Sequence, residues 1–248
     1  SLARGFEVVS VFTVSQMDKE LISELPGLKL IAVRATGFDN VDMEEAKSRR
    51  IIVSNVPTYG ENTVAEHTFG LILNLSRKIY QSIQKVKETG FIPDGLRGFD
   101  LKGKTLGIVG LGHIGEHVAR IANGFEMKVL AFDINQNKNL SKKLGFEYVE
   151  LNELLKNSDI ITLHVPYNKN THHLINSENI GLIKKGAYLI NTSRGGVLET
   201  GALAKALDDG ILSGAGLDVL EEEHVLGEER ELLSKEIIKL SPDAQEDS

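Results

Sequence analysis

The amino-acid sequence predicts an α/β protein: a doubly wound parallel sheet accompanied by a second, smaller and incomplete α/β lobe. Three observations carry this prediction. Short apolar runs with a β-branched bias alternate with helix-period segments along most of the chain. The run at 105–109 leads directly into Gly110, Gly112 and Gly115 at the mouth of a helix. The first 56 or so residues repeat the strand-helix alternation on their own, before a hinge at Pro57, Thr58, Tyr59 and Gly60.

Bulk composition narrows the function. The 248 residues are 41% apolar, enough to build real cores in one large or two small domains. A net charge of −7 without basic runs provides no electrostatic footprint for nucleic acid, and no apolar run is long enough to cross a bilayer, so a small-molecule partner is expected. With no cysteine, disulfides, thiolate metal sites and thiol nucleophiles are excluded, which fits the cytoplasm. The first residue is Ser and no signal peptide precedes it, so the chain reads as trimmed at its start.

In order, strands are expected at 7–14, 28–33 and 51–56, with short helices at 18–24 and 41–49 between them. Three strands and two short helices leave much apolar surface uncovered, so this lobe, residues 1–58, reads as partial. Asn62 or Thr63 can cap one long helix reaching about residue 88. Its apolar set, including Ala65, Phe69, Ile72, Leu73 and Leu75, is wider than one stripe, which points to a homodimer contact or an interlobe core. A loop rich in Gly, Pro and Asp at 89–100 then delivers the chain to the strand at 105–109.

Each glycine of the following turn has its own steric reason. Gly110 allows the tight turn, Gly112 lets a pyrophosphate approach the backbone, and Gly115 lets the helix pack closely on the strand, with the anion resting on free helix N–H groups. Val118, Ala119, Ile121 and Ala122 form the helix's apolar stripe, Gly124 ends it, and 127–132 is a second buried strand. Asp133 follows, 18 residues beyond Gly115, where a carboxylate can accept from a ribose 2′-hydroxyl and repel a 2′-phosphate. Only Lys138 nearby is basic, so NAD is expected in preference to NADP.

The alternation continues with a short helix led by 141–143, helices at 151–156, 176–183 and 202–207, and strands at 159–165, 187–191 and 213–219, giving a dinucleotide-binding domain over 59–248. Beyond Glu221 the chain is charged, and after Leu240 it turns polar and reads as frayed. Ligands of open parallel sheets bind off the carboxyl ends of the strands. His164, Val165 and Pro166 end one strand, Thr192, Ser193 and Arg194 the next, and Asp218 with Glu221, Glu222 and Glu223 follows a third. Arg194 is either a planar cation gripping a carboxylate or a surface ion-pair residue. At least two of the three glutamates read as a solvated loop, and His67, His117, His172 and His173 fall where ordinary surface or core roles are the rule.

The segments VRATGFDNVD (33–42), VPTYGENTVAEHTFGLIL (56–73), LGIVGLGHIG (106–115), HVPYNKNTHHLIN (164–176), NTSRGG (191–196) and GAGLDVLEEE (214–223) together resemble the NAD-dependent D-2-hydroxyacid dehydrogenases, most of all their D-lactate dehydrogenase branch. The resemblance covers nearly the whole chain. It implies a Rossmann-type NAD domain beside a flavodoxin-like catalytic lobe, and reversible hydride transfer between NAD(H) and C2 of a small 2-hydroxy acid. It makes Arg194 the substrate-orienting arginine, and Glu223, 29 residues later, the carboxylate partnering a catalytic histidine. It places His113, Ile114, Val165, Pro166, Thr171, Thr192 and Ser193 around NAD, with Asp218 facing the nicotinamide. Ala35, Thr36 and Gly37 would offer N–H groups to the substrate carboxylate, and Phe12 and Tyr59 would line the pocket, favouring a small substrate such as pyruvate or D-lactate.

The family's histidine lies in a T-P-H segment that this sequence does not contain, so both ends of the catalytic lobe are expected to be absent and turnover by these 248 residues alone is expected to be slow. Two other readings stay open: a silent NAD-binding module with a sensing or interaction role, and a family dehydrogenase for another small acid such as glyoxylate.

Overall fold

The computed structural model describes residues 3–13, 15–90 and 93–221, which form two parallel sheets. The smaller sheet has the order β1 (Val8–Val11), β2 (Leu30–Val33), β3 (Ile52–Ser54), crossed by α1 (Lys19–Ser23) and α2 (Met43–Ser48). Asp18 and Asp42 start these helices by accepting from Leu21 N and Glu45 N, each at 2.8 Å. Ile22 and Ala46 from the helices pack on Ile31 and Val33, whereas Val8 and Ile52 stay 54% and 66% exposed. The uncovered apolar surface expected of so small a sheet is therefore present.

The larger sheet has six parallel strands in the order β6-β5-β4-β7-β8-β9. They are β4 (Thr105–Val109), β5 (Lys128–Phe132), β6 (Glu147–Tyr148), β7 (Ile160–Leu163), β8 (Ala187–Asn191) and β9 (Leu212–Leu217). β7 is buried along its whole length, as a near-continuous apolar run requires; each fully buried Ile or Leu contributes about 1.5–3 kcal/mol relative to exposure. One face is covered by α3 (Glu61–Arg77), α5 (His113–Gly124) and α6 (Lys138–Leu144), through Phe69, Ile72, Val118 and Ala122. The other is covered by α7 (Leu151–Asn157) and α8 (Thr200–Asp208), through Leu154, Leu155, Ala202 and Leu203. Successive strands run outward to one side of β4 and then, from β7, to the other, which opens a crevice at the carboxyl ends between them.

Several sequence-based expectations need correction. The long helix expected over 62–88 is two helices, α3 and α4 (Ile79–Thr89), broken at Lys78 with φ 51°. Side chains compensate the break: Asn74 accepts from Tyr80 N at 3.0 Å, and Lys78 Nζ donates to Gly95 O at 2.8 Å. α3 begins at Glu61 after Gly60, without the side-chain cap expected from Asn62 or Thr63. Over 176–183 only Ile180–Leu182 is helical, as one 3₁₀ turn. There Asn176 and Asn179 take backbone partners with their side chains, among them Glu178 N at 2.9 Å and Leu174 O at 2.8 Å, in competition with the helix. The edge strand β6 carries too short a pattern to be anticipated.

Candidate active site

β4 delivers the chain to Gly110, whose φ of 94° lies in the left-handed region. A Cβ there would lie 2.8 Å from the His164 carbonyl, and one at Gly115 would lie 2.2 Å from Gly110 O, so both glycines answer to close packing within the protein. Gly112 differs. A Cβ on it would meet no protein atom within 4 Å, which leaves its backbone open to a ligand. The first turn bond of α5 runs from Glu116 N to Gly112 O at 2.9 Å, so the N–H groups ahead of Glu116 on α5 are free of intrahelical partners. Free donors, an open glycine and a helix N-terminus fit a dinucleotide pyrophosphate.

The structure gives Asp133 a bracing role that was not expected from sequence. Its Oδ2 accepts from Leu111 N at 2.6 Å and its Oδ1 from Asn135 N at 2.7 Å, so the carboxylate fastens the glycine turn to the end of β5.

Beside this turn a cavity of about 450 Å³ runs between the two sheets. Ala35, Thr36, Gly37 and Tyr59 form one wall, and Gly112, His113, Ile114, Val165, Pro166, Thr192, Ser193 and Arg194 form the other. Twelve residues chosen from sequence therefore share one cavity. The loop after β2 is held by its own bonds: Val56 N donates to Ala35 O at 3.1 Å, Thr36 Oγ1 to Val56 O at 3.1 Å, and Asn55 Nδ2 to Thr36 O at 2.8 Å. Among the described residues the N–H groups of Thr36, Gly37 and Phe38 have no hydrogen-bond partner, leaving them available to an oxyanion.

The Arg194 loop is braced with equal care. Asn191 Oδ1 accepts from Ser193 N at 3.0 Å and Ser193 Oγ at 2.8 Å, while its Nδ2 donates to Arg194 O at 3.0 Å. Thr192 Oγ1 meets Thr68 Oγ1 of α3 at 3.0 Å in a buried pair. Arg194 Nε donates to both oxygens of Asp39, at 3.1 and 3.2 Å, and Nη1 donates to Ser193 O at 2.9 Å.

The remaining sequence candidates lie off the cavity wall. Phe12 follows β1, 44% exposed, with the Arg34 guanidinium 5.9 Å from its ring centre. Thr171 Oγ1 donates to Pro166 O at 2.6 Å and accepts from Asn168 N at 2.9 Å, shaping the loop after β7. Asp218 lies 3.2 Å from His67 Nε2. Gly110, Gly115 and Asp133 act from behind the turn. Glu222 and Glu223 lie outside the described residues.

Three residues at or near the site had no assigned role from sequence. His164 lines the cavity; Nε2 is 2.9 Å from Thr162 Oγ1, Nδ1 is buried with no partner among the described residues, and burial pushes its pKa down to about 3. Asp39 pairs with Arg194 across 155 positions of sequence. Glu221 accepts from Thr200 N at 3.0 Å and from His173 Nε2, tying the end of β9 to the start of α8. Burial alone would raise its pKa, but the His173 and Thr200 hydrogen bonds outweigh it and hold the carboxyl at about 2.

A glycine turn and an arginine lining one cavity at the carboxyl ends of a doubly wound sheet define a dinucleotide-binding protein of the oxidoreductase kind. Residues 69–242 match the D-isomer specific 2-hydroxyacid dehydrogenase NAD-binding domain. A glyoxylate reductase of Thermococcus litoralis is 43% identical over 233 residues, 91% of this chain and 70% of that protein. A 2-hydroxyacid dehydrogenase homolog of Schizosaccharomyces pombe is 43% identical over 242 residues, 96% and 72% of the two chains. The structure of D-lactate dehydrogenase from Aquifex aeolicus, complexed with NAD and lactic acid, superposes with a TM-score of 0.87 at 43% identity, covering 96% of this chain and 70% of that one. The chain belongs to the NAD-dependent D-isomer-specific 2-hydroxyacid dehydrogenase family.

Proposed function

We propose that the protein interconverts a small D-2-hydroxy acid and its 2-keto acid, with D-lactate and pyruvate as the pair, using residues 1–58 as a partial substrate lobe and 59–248 as the dinucleotide-binding domain. The observation that carries this reading is the position of Arg194 in the same cavity as the free N–H groups of Thr36, Gly37 and Phe38 and the glycine turn. NAD supplies the hydride acceptor when bound. The N–H groups hold the substrate carboxylate, Arg194 orients the acid and polarises the C2 oxygen, and Gly112, His113 and Ile114 donate to the pyrophosphate. Asp133 carries the ribose end, and Val165, Pro166, Thr192 and Ser193 flank the nicotinamide end. Alcohol oxidation also requires a proton acceptor. His164, with a pKa of about 3, is too weak a base for that near neutrality, and by family resemblance the role falls to a histidine paired with Glu223.

Steady-state NADH oxidation by the full-length protein over pyruvate, glyoxylate and branched 2-keto acids tests the assignment. Pyruvate is expected to give the highest kcat/KM, with Tyr59 on the cavity wall disfavouring long side chains. A branched 2-keto acid turned over faster than pyruvate would end the small-substrate reading. Glyoxylate is the second reading, supported by the 43% identity to a glyoxylate reductase, equal to that with the D-lactate dehydrogenase.

The α4 helix supports a homodimer. Ile79, Tyr80, Ile83 and Val86 are 45%, 59%, 52% and 48% exposed, an apolar stripe that a two-fold contact would bury. Light scattering at micromolar protein should give twice the monomer mass, and a monomeric mass would refute the contact. With no cysteine in the chain, and no helix among the described residues long and apolar enough to cross a membrane, the reading places this chemistry in the cytoplasm.

A further inference from the structure

The guanidinium of Arg194 has five N–H bonds, and the structure distributes them unevenly. Nε donates to Asp39 Oδ1 and Oδ2 at 3.1 and 3.2 Å, and Nη2 lies 3.0 Å from Oδ1, so Asp39 grips the Nε side of the group. Nη1 gives one hydrogen to Ser193 O at 2.9 Å. With Nη2 giving one hydrogen to Asp39 and Nη1 one to Ser193, each of these two nitrogens keeps a second N–H, and this remaining pair has no partner among the described residues. Nη2 adjoins Gly37: a Cβ at Gly37 would lie 1.8 Å from it, so only a glycine lets the guanidinium lie flush against this backbone.

Asp39 is itself rigidly mounted. Its neighbour Asn40 is buried, and Asn40 Nδ2 donates to Phe12 O at 3.0 Å and Ser15 O at 2.8 Å. Val41 N donates to Phe38 O at 3.1 Å, and Asp42 caps α2. Among the described residues the Asp39–Arg194 contact is the one ion pair joining the small-sheet lobe to the six-stranded sheet.

We propose that Asp39 is a positioning residue for substrate. By holding the Nε side it aligns Arg194 against Gly37 and reserves the remaining N–H of Nη1 and of Nη2, beside the free N–H groups of the 36–38 loop, for the C2 oxygen and one carboxylate oxygen of a 2-keto or 2-hydroxy acid. This rests on the reading of Arg194 as the substrate-orienting group. An arginine held on one edge loses less freedom when a carboxylate docks on the other, and a displacement on the order of 1 Å at such a group can cost about a hundredfold.

The test uses the full-length protein with pyruvate and NADH. D39A should raise KM for pyruvate by about tenfold or more while changing kcat by less than about threefold, with NADH affinity and melting temperature held. D39N keeps an oxygen that accepts from Nε and should recover most of the KM. In an R194A background D39A should add nothing. An unchanged or lowered KM in D39A overturns the proposal, as does an equal D39A effect with and without Arg194. If R194A itself leaves KM for pyruvate unchanged, the Arg194 reading fails and the role of Asp39 with it, whereas a raised KM in R194A beside a silent D39A removes Asp39 alone. Should D39A fail to melt cooperatively, D39N decides: a KM rise of about twofold to fivefold, absent in the R194A background, supports the alignment, and no rise sinks it.

Discussion

Replacing Gly112 and Gly115 separately with alanine should divide cofactor binding from stability. At Gly115 the new Cβ would lie 2.2 Å from Gly110 O, against a backbone atom that cannot swing aside. Reaching ordinary van der Waals contact requires α5 to retreat by roughly 1 Å from β4. Overpacking of this kind costs about 1–3 kcal/mol, and the better helix propensity of alanine returns about 1 kcal/mol. The net loss is about 0–2 kcal/mol, or at most about 4–8 °C in Tm for a protein of this size. The same retreat pulls the free α5 N–H groups away from the pyrophosphate. Losing one or two charge-assisted hydrogen bonds, about 1.5–3 kcal/mol each, weakens NADH binding by roughly a hundredfold. At Gly112 no protein atom lies within 4 Å, so alanine should leave the melting temperature in place and weaken NADH by about tenfold or more, through occupied space alone. NADH fluorescence titration and thermal melts on both variants measure the split. A well-folded G112A protein that binds NADH with unaltered affinity would refute the idea that the pyrophosphate approaches this backbone.

Wild-type protein should bind NAD(H) far more tightly than NADP(H), and D133N should narrow the ratio while keeping an oxygen for Leu111 N, a bond that D133A would also break; equal affinities for both cofactors in wild type would sink the assignment of Asp133. Stability should fall on acidification in two stages. His164 is neutral in the fold with a pKa of about 3 against an ordinary 6.5, so between those values the unfolded chain binds a proton that the folded chain does not, and stability drops as pH falls through the window. Glu221, at about 2 against 4.5, contributes hydrogen bonds that are fully present above 4.5 and lost as pH falls toward 2. Urea melts at pH 7 and 5 should show the first stage in wild type and a flatter dependence in H164Q; an identical slope in both would remove His164 as its source.

Much of this architecture was legible in sequence because its signals are local. The strand-glycine-helix unit at 105–115 is written in steric requirements that Gly110 and Gly115 meet within ten residues, and the apolar run of β7 has few other homes than a buried parallel strand. The place of Arg194 on the cavity was legible because strand ends of a doubly wound sheet converge by topology. What Arg194 touches was not. Asp39 sits 155 positions away, and no period or propensity links the two. The buried Nδ1 of His164 is likewise a property of three-dimensional surroundings. The break at Lys78 escaped a periodicity argument because the apolar pattern continues across it, while the bonds that compensate it, to Asn74 Oδ1 and to the carbonyl of Gly95, leave no mark on that pattern.

The two ends of the larger sheet are finished differently. At the amino end, Asp159 Oδ2 accepts from Thr105 N at 2.8 Å and Oδ1 from Lys184 Nζ at 2.7 Å; burial opposes its ionisation, but Lys184 and the Thr105 N–H hold its carboxyl below the ordinary range. That end is closed by the protein's own side chains. The carboxyl end leaves donors open at the start of α5 and aims Arg194 into the cavity. In hydrogen-exchange terms, the amide of Thr105 should report only on opening of the fold, whereas those of His113 and Ile114 should slow when NADH binds. Substitutions at the cavity rim therefore act through different bonds from those that close the other, so the cavity rim can change while the opposite rim keeps the sheet shut.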